Sequence, residues 1–289
     1  MYARCIPQSI HYEYPMEQLK KFISPGAWFS MLYPGTWNEF EDGEDSFLFY
    51  NPDQWTGNFR ISAYKGEEES YGEASVRQEL KENRQARRVQ LGTVECAYSC
   101  EDFEEDGTDY TSHFWVVGIG EIAFECSFTV AKDMSIEEAE QVISSLEVRC
   151  AGQKYAAELI SVRLSEIYQI DEAYEWVETS VKETLKKDFQ GLEEDVEKMQ
   201  AFIEKSGIGS KKREAWMSLG IVLCVILTNE VDGLEWRTLI DGNREAPVLM
   251  NVATGRWMDP MKLTWSKVKA GETVDLPESY ASLLALCGD

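Results

Sequence analysis

The chain has 289 residues, 44% of them hydrophobic, with 52 acidic against 28 basic side chains and a formal net charge of −24. That length calls for two domains and that apolar content for folded ones. The charge argues against nucleic acid, which needs lysine and arginine to displace counterions, and against anionic membrane surfaces.

The excess is uneven. Residues 1–150 carry net −16 and the remainder net −8, so a partner steered by charge would be basic. The opening MYARCIPQSIHYEY has no apolar core of signal-peptide length. The longest apolar stretch, Ala215 to Leu227, is too short for a bilayer and reads as a buried helix. Seven cysteines without disulfide-framework spacing suit a reducing cytoplasm.

In chain order, 28–33, 46–50 and 58–64 read as strands separated by Pro34-Gly35 and by Asn51-Pro52-Asp53 with Gly57. Residues 70–86, rich in Ala, Glu, Gln and Arg, read as a helix with Ser70 as its cap. Strands follow at 94–100, 109–117 and 121–130, each alternating with period two. Asp106-Gly107 signals a two-residue hairpin, and Gly118-Ile119-Gly120 the next turn. Ser135 with Glu138 matches a capping box for a helix at 135–145, and 146–149 is a last short strand. Helical spacing then takes over at 155–168, 171–188, 191–205 and 213–230. A strand pair at 234–240 and 247–251 surrounds Asp241-Gly242-Asn243, and a third strand is expected after 255. A helix at 277–286 closes the chain. The expected domains are 1–152 and 153–289, with the boundary near 150–154.

The most specific pattern is Trp28-Phe29-Ser30-Met31-Leu32-Tyr33-Pro34-Gly35-Thr36-Trp37. Proline ends the strand, glycine permits the bend, and the tryptophan folds back over the sheet. With the element order of 28–149, this resembles the PsbP/Mog1-like fold over about 120 residues. The segment from Trp216 through Leu234-Glu235-Trp236, Asp241-Gly242 and Pro247 resembles an uncharacterised bacterial domain found attached to such modules. The resemblance implies an α+β protein. It would have a twisted antiparallel sheet with helices on one face, followed by a mainly helical α+β domain with a small sheet. It also implies a binding scaffold, since members of the group act as photosystem accessory proteins, small-GTPase partners or toxin chaperones. It carries no functional residue onto this chain.

Strand register gives the sharpest local constellation. A hairpin at Asp106-Gly107 puts Cys100 opposite His113, and a turn at Gly118–Gly120 that matches the apolar faces puts His113 opposite Cys126. The expected Cys-His-Cys row is too wide for one metal ion, since outer sulfurs would be roughly 10 Å apart across strands about 4.8 Å apart. Core packing with a hydrogen-bond partner for His113 is therefore expected. Neither G-x-S-x-G nor C-x-x-C occurs. Gly207-Ile208-Gly209-Ser210-Lys211-Lys212 lacks the spacing and ending of a phosphate loop.

Acidic runs read as solvated loops or as a surface for a basic partner, and an aromatic inside such a run supplies an anchor. The candidate partner-binding residues are Phe40, Glu41 and Asp42, with Glu101, Asp102, Phe103, Glu104, Glu105 and Asp106. No catalytic residue, metal or cofactor is assigned. The expected function is a non-enzymatic cytoplasmic protein-binding module of adaptor, chaperone or toxin-neutralising type. The alternatives are a hydrolase with an interdomain pocket and a thiol sensor using Cys5, Cys96, Cys100 or Cys150.

Overall fold

A computed structural model describes residues 19–41, 46–150 and 152–287. They fall into two compact units, one of 19–21 with 31–146 and the other of 22–30 with 147–287. The leading elements are β1 (Lys20–Ile23), β2 (Phe29–Tyr33), β3 (Asn38–Glu41), β4 (Ser46–Tyr50), β5 (Asn58–Lys65) and helix α1 (Tyr71–Glu82). Next come β6 (Arg87–Leu91), β7 (Val94–Glu105), β8 (Thr108–Ile119), β9 (Ile122–Ala131), helix α2 (Glu137–Ser144) and β10 (Glu147–Val148). The class is α+β with antiparallel pairing, as the sequence implies.

Seven strands of the first unit form one sheet in the order β3-β4-β5-β9-β8-β7-β6. Asp106 (φ 51°) and Gly107 (φ 78°) both occupy left-handed backbone, and Glu105 pairs with Thr108. That is a type I′ hairpin, whose twist matches its strands. One face of the sheet is dry. Phe49, Phe59, Ile61, Phe124, Cys126, Phe128, Trp115 and Cys96 are buried there by period-two alternation. Trp37 turns back after Pro34, whose carbonyl accepts from the Trp37 N–H at 3.0 Å. Its buried ring lies 6.0 Å from Phe59 and 6.1 Å from Phe128, as the Pro-Gly-x-Trp reading expects.

Several local readings are corrected. Residues 101–105 are strand, not loop, because the β7–β8 hairpin runs far past the residues that alternate in polarity. The helix expected at 70–86 stops at Glu82, and its Ser70 makes no side-chain cap. The capping box does not form. The Ser135 hydroxyl accepts from the Glu137 N–H at 3.2 Å, and Glu138 instead accepts from Thr56 Oγ1 at 3.0 Å.

The second unit adds β11 (Glu158–Ser161), α3 (Leu164–Leu185), α4 (Asp195–Ser206), α5 (Arg213–Glu230), β12 (Leu234–Asp241) and β13 (Arg244–Asn251). It ends with β14 (Trp257–Met258), α6 (Pro260–Leu263), α7 (Trp265–Ala270) and α8 (Leu276–Cys287). Its sheet runs β11-β12-β13-β14. Part of the helix expected at 155–168 is strand, since 158–161 pairs with β12. Helix α5 is the core, with Leu219, Val222, Leu223, Ile226 and Leu227 buried against Val177 and Val181 of α3 and Met199 of α4. Ile23 reaches this unit from early in the chain and packs with Ile160 and Ile240.

Arg163 is buried to 2% exposure in the same unit. Its guanidinium donates to both Glu166 oxygens at 2.8 and 2.7 Å, to Glu245 at 2.7 Å and to the Ile23 carbonyl at 3.1 Å. A buried charge survives only when its donors are met in this way.

Candidate functional site

The expected Cys100–His113 pair forms, because the Asp106-Gly107 hairpin sets it. The third member does not join them. His113 faces Phe128, and Cys126 faces Trp115. The turn is Gly120-Glu121, with Ile119 opposite Ile122, so the strands slip by two residues relative to the expectation. Parity survives a two-residue slip, and the apolar faces stay matched.

His113 finds its partner on the neighbouring strand, where the Tyr98 hydroxyl lies 2.8 Å from Nδ1. Burial pushes Tyr98 up to about 12, so the phenol keeps its proton. Burial also lowers the His113 pKa, with Asp102 pulling weakly the other way. Burial raises Cys96 to about 12 and Cys126 well above the ordinary thiol value, so both buried thiols stay protonated. Cys100 and Cys150 are exposed, and Cys5 lies outside the described residues. Among the described residues no group of three or more His, Cys, Asp or Glu could hold a metal ion.

The acidic, aromatic-dotted residues divide by face. Asp102 is engaged within the fold: it accepts from Thr111 Oγ1 at 2.7 Å and pairs with Lys132 at 2.9 Å, and these hold its carboxyl below the usual range. Glu104 alternates to the same side as Asp102. Glu41 ends β3 opposite Phe47, and Asp42 lies outside the described residues. Asp106 forms the hairpin tip.

Phe40, Glu101, Phe103 and Glu105 share the other face of the seven-stranded sheet. The register runs Phe40, Leu48, Arg60, Ser127, Phe114 and Ser99 straight across six strands. Phe103 pairs with Tyr110 on that side. Phe40 and Phe103 are therefore five strands apart, about 24 Å, on one surface. Helix α1 covers only one end of it, with the Gly72 N–H donating to the Gly120 carbonyl at 2.9 Å. Beyond α1 the aromatics stay in solvent: Phe114 is 41% exposed, Phe103 38% and Trp55 43%. Phe40, Phe103 and Trp55 are braced by other rings. Phe40 stacks on Tyr50 at 3.8 Å, Phe103 on Tyr110 at 5.5 Å, and Trp55 meets Tyr110 edge-on at 6.0 Å.

A hollow of about 330 Å³ opens where α1 ends, lined by Glu79, Asn83, Ser99, Glu101, Phe114 and Glu125. Asn83 fixes its rim by donating to Glu79 at 2.7 Å and to Ser99 at 3.3 Å. Phe114, Glu125 and Trp55 escaped the sequence reading. The signal was present in 109–117, where Tyr110, Ser112 and Phe114 alternate opposite His113 and Trp115.

The second unit has its own open groove of about 1160 Å³, bordered by Trp176, Ile208, Ile221 and the cations Lys211, Lys212 and Arg213. The Gly-rich stretch there is the α4–α5 connector, whose Gly209 carbonyl accepts from the Trp216 indole at 3.2 Å.

Comparison with known families decides the chain's place. Residues 17–171 match the model described as Domain of unknown function (DUF3805), which is more than half the chain. The chain belongs to the DUF3805 family. Behind the DUF3805 region, residues 195–280 match Domain of unknown function (DUF3806). A crystal structure from Bacteroides thetaiotaomicron VPI-5482 is 64% identical with a TM-score of 0.88, covering 92% of this chain and 98% of that one. Cyanobacterial PsbP from Synechocystis sp. PCC 6803 matches at 14% identity and TM-score 0.26, over 51% of this chain and 98% of its own. LpqN, involved in cell envelope biogenesis of Mycobacterium tuberculosis, matches at 12% and 0.31, over 46% and 93%. No curated protein matches the chain at a significant level. Among the described residues no helix is long and apolar enough to cross a membrane.

Proposed function

We propose that the chain is a protein-binding module whose working surface is the open face of the seven-stranded sheet. One observation carries this reading. Braced aromatics and exposed carboxylates share a sheet surface, where burying the rings would gain binding energy and the acids would select a basic partner. A sheet presents such groups with little ordering cost on association.

The reading is tested by placing a photo-crosslinking phenylalanine analogue at 103 or at 114 of the full chain, in cells that naturally carry it. The control position is Trp176 in the second unit. The expected result is one protein crosslinked from both sheet positions and not from the control. Crosslinks that are absent from 103 and 114, or the same from all three positions, overturn the reading.

A further inference from the structure

We infer that the open sheet face docks an extended protein segment carrying two arginines four residues apart, one seated on Phe114 and one on the Phe103–Tyr110 pair. This rests on the reading of that face as a protein-binding surface and names the partner's chemistry.

The argument begins with size. The hollow at Phe114, about 330 Å³, is at the small end of ligand pockets and suits one side chain. Its floor is an exposed benzyl ring and its walls carry three carboxylates, Glu79, Glu101 and Glu125. A cation over an aromatic face is attracted by the ring quadrupole, and a planar guanidinium can stack while forking to a carboxylate. Lysine offers a compact, strongly hydrated charge and no fork, so the same site favours arginine.

The second seat lies further along the same strand. Tyr110 is four residues from Phe114 on β8, about 13 Å, and points to the same side. Its ring stacks with Phe103, and Glu101 and Glu105 flank Phe103 on that face. A partner in extended conformation places residues i and i+4 at the same separation and on one side. Among the described residues, the cations of this face stand on other strands than the seats. Arg88 pairs with Glu95 on the neighbouring strand, and Arg60 stands beyond Ser127 from Phe114.

The test is calorimetric titration of the full chain at about 0.15 M salt, where exposed charges are largely screened. Three synthetic peptides are compared, identical except for Arg-x-x-x-Arg, Lys-x-x-x-Lys or the neutral citrulline pair. The arginine peptide is expected to bind about tenfold more tightly than the lysine peptide, and citrulline is expected to abolish binding. Phe114→Ala and Glu125→Gln each should weaken the arginine peptide by about tenfold, whereas Glu197→Gln on α4 should not. Phe114 and Glu125 are exposed, so neither change endangers the core.

Equal affinity for the arginine and lysine peptides, or indifference to Phe114→Ala, overturns the inference. The two claims fail separately. A partner crosslinked at 103 and 114 that lacks the arginine pair sinks this proposal and spares the binding face. Absent crosslinks sink the face itself.

Discussion

His113 is the histidine among the described residues, and its setting gives its titration a sign. Burial lowers its pKa in the folded chain, and the Tyr98 hydroxyl lies 2.8 Å from its Nδ1. The unfolded chain therefore takes up the proton more readily. Stability contributed by the neutral ring is intact above the ordinary histidine value of about 6.5 and is lost as pH falls toward the lower folded value. His113→Gln keeps an acceptor for Tyr98 but removes the titration. Urea midpoints at pH 7.5 and 5.5 should differ less in this variant than in the parent chain. An equal drop in both would show that His113 carries none of the dependence.

At the scale of elements, the placement of α1 decides which part of the sheet stays open. Backbone meets backbone there. A Cβ on Gly72 would stand 2.4 Å from the Ile122 carbonyl oxygen, and one on Gly118 would stand 2.2 Å from the Gly72 carbonyl oxygen. Gly72→Ala and Gly118→Ala should each lower stability by about 2–3 kcal/mol, read from denaturant unfolding, because neither backbone can yield without lifting the helix. A loss below about 0.5 kcal/mol would mean the helix is not held at that contact. The same elements show what amino-acid patterning can and cannot carry. Alternation in β8 and β9 assigns each residue to a face, since burial acts on every second position. It leaves the register open by any even number, and the turn at Gly120-Glu121 chose two residues differently from Gly118–Gly120. Residues 101–105 conceal their strand because both of its sides are exposed there, so no apolar alternation was needed. Arg87–Leu91 and Glu158–Ser161 are short strands with mixed or one-sided burial and leave no clear period. Phe40 and Phe103 stood out as aromatics among acids. That they share a surface follows only from strand order, which no local pattern contains.

At the scale of the whole molecule, the second unit is built from two stretches separated by more than a hundred residues of the first. A fragment beginning at residue 153 lacks 22–30. Ile160 and Ile240 then lose Ile23, and Arg163 loses the Ile23 carbonyl. Such a fragment should melt early, and a synthetic peptide of residues 20–31 should raise its midpoint with increasing concentration. A midpoint indifferent to the peptide would show that the early stretch adds nothing to that unit. The discontinuity also sets a timetable on the ribosome. Met31–Leu146 can close as soon as it emerges, but Ile23 waits for residues as late as Ile240. At about 5–20 residues per second that wait lasts roughly 10–40 s. In the latter part of that wait, once Leu146 has emerged, Ile23 still lacks Ile160 and Ile240, which makes its strand the place where a holdase would grip this chain during synthesis.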